Sequence, residues 1–191
     1  CGDAVDLDID DVGFVSDLID KIMEDYCINP DRVFGTGFSN GGIFSYRLAC
    51  ELSDRIAAIA PVASYNGTLS CSPSRPVPII AFHGTDDPVI PYANGVASIE
   101  AWAYHNGCSD ETQIYYQEGD VTCIQYMGCD EGADVVFCTI DGGWHNWPGA
   151  IDLCEKSPPT CWMTGYTTQD IDASRAIWKF FAEHSMPGEE D

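Results

Sequence analysis

Three residues stand where attack on a carbonyl carbon would need them. Ser39 lies in Gly37-Phe38-Ser39-Asn40-Gly41, which fits G-x-S-x-G. The apolar pair Val33-Phe34 leads in, and Ile43 to Leu52 read as a helix. Strand, sharp turn and helix are the setting of a nucleophile elbow, with the amide of the following residue, Asn40, aimed at the substrate oxygen. Alone, the motif is weak evidence, because glycine and serine are common and a Gly/Ser loop capping an ordinary helix also fits it. But a serine hydroxyl needs a base near neutral pH, and the base needs an orienting carboxylate. Asp87 follows the apolar run 79–82 by a few residues, and His145 follows the run 135–140 in the same way. Three such residues, each just past an expected buried strand and in the order Ser, Asp, His, are far more specific than the elbow.

Competing assignments are weaker. Asp86 neighbours Asp87 and reads as a turn residue. Asp141 shares a turn with His145, where aspartate usually caps backbone amides. His83 directly follows a buried strand and reads as a packed structural histidine. His105 and His184 end helices, where a cation suits the macrodipole. His145 sits in a loop rich in glycine and tryptophan. Trp144 and Trp147 flank it, and each can either pack that loop on the core or wall a substrate pocket.

The elements that must position these residues follow from periodicity. Val12, Val15, Ile19, Ile22 and Tyr26 recur at helical spacing until Asn29-Pro30-Asp31 stops the run. Arg32 to Phe38, Ile56 to Val62 and Ile79 to Phe82 read as buried strands, apolar as parallel strands are. Val96 to Tyr104 read as a helix. Residues 113–117, 121–126 and 134–140 read as short strands divided by turns with glycine. Thr167, with Asp170 three residues on, is expected to cap a last helix carrying Ile171, Ile177, Trp178 and Phe181. The alternation predicts an α/β domain with a mostly parallel sheet and helices on both faces. No repeat or second domain is visible across residues 1–191.

Composition bounds the rest. The chain has 191 residues, 45 % of them hydrophobic, enough for a real core. Thirty-one acidic against eight basic residues give a net charge of −23, which repels nucleic acid and anionic membranes. No apolar run has membrane-spanning length. Ten cysteines without a C-x-x-C pair argue for disulfides in an oxidising compartment rather than a zinc site. The sequence does not fix their pairing; two guesses are Cys154 with Cys161, which would close a small loop around Pro158-Pro159, and Cys108 with Cys129. Asn66-Gly67-Thr68 is an N-glycosylation acceptor, consistent with secretion.

Gly37-Phe38-Ser39-Asn40-Gly41-Gly42, His83-Gly84-Thr85-Asp86-Asp87-Pro88-Val89-Ile90-Pro91-Tyr92 and Gly142-Gly143-Trp144-His145-Asn146-Trp147-Pro148-Gly149 together resemble a family of secreted α/β-hydrolases: the feruloyl esterases and polyhydroxybutyrate depolymerases related to carbohydrate esterase family one. Asp10-Asp11-Val12-Gly13-Phe14 and Asn29-Pro30-Asp31-Arg32-Val33 add to the resemblance, which runs from Asp10 to about His184. It implies Ser39 as nucleophile, Asp87 as acid and His145 as base. It also implies extracellular ester hydrolysis without a cofactor, on feruloyl or acetyl esters of the plant cell wall or on short hydroxyalkanoate polyesters. A non-catalytic, acidic, disulfide-rich binding protein on the same fold is the rival from another class.

One departure stands out. In such hydrolases several strands and a His-Gly loop that gives a second oxyanion amide precede the elbow. Here 38 residues precede Ser39, and the His-Gly pair, His83-Gly84, belongs to the aspartate strand. The expectation is a partial catalytic domain lacking its N-terminal strands, completed by a missing N-terminal segment. Alone it should be poorly soluble or weakly active.

Overall fold

A computed structural model describes residues 7, 9–68, 70–151 and 165–187. A first helix, α1 (Asp11–Asp25), is capped by Asp10, whose carboxylate accepts from the Gly13 amide. A short turn of 3-10 helix at Pro30–Arg32 leads to β1 (Phe34–Phe38), α2 (Asn40–Glu51), β2 (Ala58–Val62), β3 (Ile79–Gly84) and α3 (Tyr92–His105). Then come β4 (Thr112–Glu118), β5 (Val121–Tyr126), β6 (Val135–Ile140) and α4 (Ala173–Glu183).

The strands form one sheet in the order β1-β2-β3-β6-β5-β4. β1, β2, β3 and β6 run parallel, and β5 and β4 add antiparallel to that block. Every residue of β2 and β3 is buried, as apolar runs covered on both faces must be. Alternate side chains divide between two cores. Ile59, Ile79, Ala81 and Phe137 meet α1, α2 and α3 on one face. Ala60, Val62, Ile80, Phe82 and Cys138 meet Ile177, Phe180 and Phe181 of α4 on the other. The mostly parallel sheet with helices on both faces is thus the observed architecture.

Several boundaries differ from the sequence reading. α2 begins at Asn40 rather than Ile43 because the turn at Ser39 delivers the chain straight into helix. β3 runs on through His83 and Gly84, held by pairing with Thr139 and Ile140 of β6. α3 starts at Tyr92, four residues early. α4 starts at Ala173, capped by Asp172, whose carboxylate accepts from the Arg175 amide. Thr167 and Thr168 are buried instead, and the Thr168 hydroxyl donates to Asp120 2.5 Å away. Ile22 and Tyr26, expected on the packed face of α1, are 37 % and 68 % exposed, and Trp178 of α4 points to solvent. Phe14, Leu18 and Ile22 instead form an exposed stripe at spacing four. Among the described residues β1 pairs with β2 alone, so it is an edge strand.

Three disulfides are present among the described residues: Cys50–Cys71, Cys108–Cys129 and Cys123–Cys138. The second is one of the two guessed pairs; the other, Cys154 with Cys161, lies outside the described residues. Cys27 is an exposed free cysteine. Cys123 and Cys138 face each other across β5 and β6, both fully buried. They close a 15-residue separation, so replacing both with alanine is expected to cost about 3 kcal/mol in chemical denaturation, largely by freeing the unfolded chain.

Candidate active site

The elbow is built by close backbone approach. A Cβ added at Gly37 would come within 2.3 Å of the Gly41 carbonyl carbon, so the strand end and the helix start leave no room there. Gly42 has the next constraint, since a Cβ would meet the Ser64 hydroxyl at 2.4 Å. A Cβ at Gly41, by contrast, would meet nothing within 4 Å, so the close approach constrains Gly37 and Gly42 rather than Gly41. Ser39 has φ 54° and ψ −118°, a strained conformation for a side chain with a Cβ. The Ser39 amide donates to the Val62 carbonyl at 2.9 Å, and the Ser39 carbonyl accepts from Ile43 at 3.0 Å. The side chain makes no capping bond to the helix. Asn40 opens α2, which sets its amide at the positive end of the helix dipole.

Asp87 and His145 come into direct contact. The Asp87 side chain is fully buried, and its Oδ1 accepts from the Val89 and Ile90 amides at 2.8 Å each. Its Oδ2 accepts from His145 Nδ1 at 2.7 Å. Burial alone would push the Asp87 carboxyl up, but the bonds from His145, Ile90 and Val89 outweigh it and hold the group below the usual carboxylate range. An imidazole that donates Nδ1–H to a carboxylate has Nε2 as its acceptor.

Pairing of two loops fixes this contact. The Asp86 amide donates to the Gly143 carbonyl at 3.0 Å, and the Gly142 amide donates to the Thr85 hydroxyl at 2.7 Å. A Cβ at Gly84 would lie 2.1 Å from the Gly143 oxygen, so the acid loop and the histidine loop touch backbone to backbone. The Phe38 ring lies 4.7 Å from the His145 ring. Phe38 immediately precedes Ser39, so the elbow and the Asp87–His145 pair share one rim of the sheet.

Of the rival residues, His83 is buried 3.5 Å from Asp87 Oδ2, and the others are placed differently. Asp86 and Asp141 are exposed on turns. His105 is exposed at the end of α3. His184 is buried and 3.2 Å from Asp134, which precedes β6. Burial alone would lower His184, but Asp134 and the Phe180 carbonyl hold it above the ordinary histidine range.

Residues 10–129 match the model of the α/β-hydrolase family described as Phospholipase/Carboxylesterase. The chain belongs to this family. Feruloyl esterase B of Piromyces equi is 35 % identical over 159 residues, covering 72 % of this chain and 29 % of that protein. Feruloyl esterase D of Neurospora crassa is 31 % identical over 176 residues, covering 91 % and 55 %. The chain therefore spans about half or less of the length of these relatives. Among solved structures, an acetyl xylan esterase from Aspergillus awamori superposes with a TM-score of 0.61 at 12 % identity, over 90 % of this chain and 66 % of that one. That likeness is of fold.

Within this α/β-hydrolase frame the two tryptophans separate. The Trp147 indole donates to the Ser174 hydroxyl of α4 at 3.1 Å, and its ring packs on the core beneath. Trp144 is half-buried, and its ring lies so close to Gly165 that a Cβ there would sit 1.9 Å from it. A cleft of about 330 Å³ opens instead beside Asn40, walled by Ile43, Phe44, Tyr65 and Gly67 together with the polar Asp11, Arg47, Glu51, Thr68 and Ser70. Sequence reasoning missed those wall residues; the weak signal was Tyr65, an aromatic just past the end of β2. Asn66 lies at this cleft's edge, its Oδ1 accepting from the Thr68 amide and hydroxyl at 3.1 and 2.6 Å.

Proposed function

We propose that the chain is the catalytic core of a secreted serine carboxylesterase acting on feruloyl or acetyl esters of plant cell-wall polysaccharide. The observation that carries the proposal is the buried Asp87–His145 contact on the rim that also holds the strained Ser39 turn. Ser39 attacks the ester carbonyl. His145 Nε2 takes the proton and returns it to the leaving alcohol, while Asp87 holds the tautomer and stabilises the imidazolium. The Asn40 amide gives one oxyanion donor. Water then repeats the cycle on the acyl-enzyme. No step calls for a cofactor.

The acyl group is assigned to the cleft beside Asn40, whose volume suits a small aromatic acid and whose walls set apolar Ile43, Phe44 and Tyr65 beside polar Arg47, Glu51 and Thr68. Trp144 stays a candidate wall; Trp147 is assigned to packing. An N-glycan on Asn66 would stand between the cleft-lining Tyr65 and Gly67 in the chain. The matched relatives named for feruloyl and acetylxylan ester cleavage favour this substrate class over polyesters. A further segment pairing with the open edge of β1 would complete the sheet, in line with the partial coverage of the relatives.

Turnover of methyl ferulate and of a hydroxybutyrate trimer is the test. Faster hydrolysis of the ferulate is expected. Preference for the trimer would move the assignment to polyester cleavage, and turnover of neither, nor of p-nitrophenyl acetate, above a Ser39→Ala control would favour a binding protein.

A further inference from the structure

Among the described residues, His83 is the one buried titratable side chain of the rim that the proposed chemistry leaves without a task. It is 2 % exposed. Its Nε2 donates to the Ile90 carbonyl at 2.9 Å and stands 3.5 Å from Asp87 Oδ2, the oxygen that His145 uses. Ile90 thus links the two side chains with both its polar groups, giving its amide to Asp87 Oδ1 and its carbonyl to His83. The ring is clamped from three elements. β3 carries it in register with Thr139 of β6. Tyr92 meets it edge-on at 5.9 Å, with the Tyr92 hydroxyl bonded to Thr139 at 2.7 Å. Gly95 of α3 presses against it so closely that a Cβ there would lie 2.4 Å from His83 Nδ1.

We propose that His83 is a positioning residue for acyl transfer: by pinning the Ile90 carbonyl it fixes the loop whose Asp87 aims His145 at Ser39. The inference rests on the triad reading above. His83 itself is no second base, because its Nε2 proton is committed to Ile90 inside the protein. Burial pushes the ring below the ordinary histidine range, against the opposing Ile90 carbonyl and Asp87 carboxylate, so it stays neutral. It therefore donates a proton to the loop without competing with the His145 imidazolium for Asp87. Facing it are Asp87 from its own loop, His145 from the loop after β6, and Tyr92 from α3.

The test replaces His83 with leucine, which fills the space without a donor, and with glutamine, whose amide can still reach Ile90. Each kinetic constant is divided by active sites titrated with an organophosphonate, so misfolded protein drops out. His83→Leu is expected to lower kcat about 10- to 100-fold with KM little changed, as slight misplacement of a catalytic group does. The acidic limb of the kcat/KM profile is expected at lower pH, because a slacker Asp87 contact stabilises the imidazolium less. His83→Gln should recover most of both. If His83→Leu fails to fold, Gly95→Ala displaces the ring without removing it and should move the same limb. Normal kcat per titrated site with an unmoved limb, in whichever of the two folds, overturns the assignment, as does glutamine no better than leucine. A Ser39→Ala variant that still turns over ester would sink the triad reading itself, a separable outcome.

Discussion

Ser39→Ala is expected to lower kcat on p-nitrophenyl acetate by about four orders of magnitude or more while leaving the fold intact. The two halves of that expectation have different physical grounds. The chemical loss follows because no other hydroxyl in the motif occupies the turn between β1 and α2. The structural silence follows because the side chain caps nothing, whereas the Ser39 backbone bonds to Val62 and Ile43 survive the change. Alanine keeps the Cβ and so keeps the strain at φ 54°. Ser39→Gly removes it, and should melt at a higher temperature than Ser39→Ala by an amount corresponding to about 1 kcal/mol. An enzyme that holds its nucleophile in a conformation glycine would prefer is giving up stability for reach. Fluorescent phosphonate labelling checks the chemistry and thermal melting checks the fold. Label retained in Ser39→Ala would remove this residue from the mechanism.

What the sequence revealed was governed by locality. β2 and β3 were legible because a fully buried parallel strand is an unbroken apolar run, and little else in a chain looks like Ile56 to Val62. The order Ser39, Asp87, His145 was legible because each residue directly follows such a run. The Cys108–Cys129 pairing was guessed rather than derived, and Cys123–Cys138 depends on the register of β5 against β6, which the sequence does not state. Long-range contacts caused the misses. β3 read as ending at Phe82 because His83-Gly84 looks like a turn; pairing with β6 carries the strand through it. His83 was legible as a packed histidine, but its partners Ile90 and Gly95, on a loop and a helix, were not. The Thr167–Asp170 spacing fits a helix cap, yet the Thr168 hydroxyl is drawn to Asp120, 48 positions away, and the helix waits for Asp172. Ile22 and Tyr26 likewise matched the period of the packed face of α1 that Val12 and Ile19 form, yet both are exposed. Periodicity tells which residues share a face, and not what, if anything, lies against it.

Asp87→Asn is expected to be nearly as damaging as loss of the serine, with kcat about 10⁴-fold lower at neutral pH and KM little changed. The geometry supplies the reason. Oδ1 is claimed by the Val89 and Ile90 amides, which can be satisfied by an oxygen alone. The asparagine must therefore turn its amide nitrogen toward His145. Two donors cannot face each other, so the His145 proton moves from Nδ1 to Nε2, the atom that has to accept from Ser39. The base is present but holds its proton on the wrong side. Stability should change with a definite pH signature. In the folded protein the Asp87 carboxyl lies below its ordinary range, so its contribution is present above about pH 4 and is lost as pH falls through the folded value. The asparagine carries no such titration. The wild-type chain should therefore lead in denaturant midpoint at neutral pH, and the gap should close on acidification. A gap that widens toward acid, or full activity in the asparagine variant, would mean that the carboxylate is not the partner that orients His145.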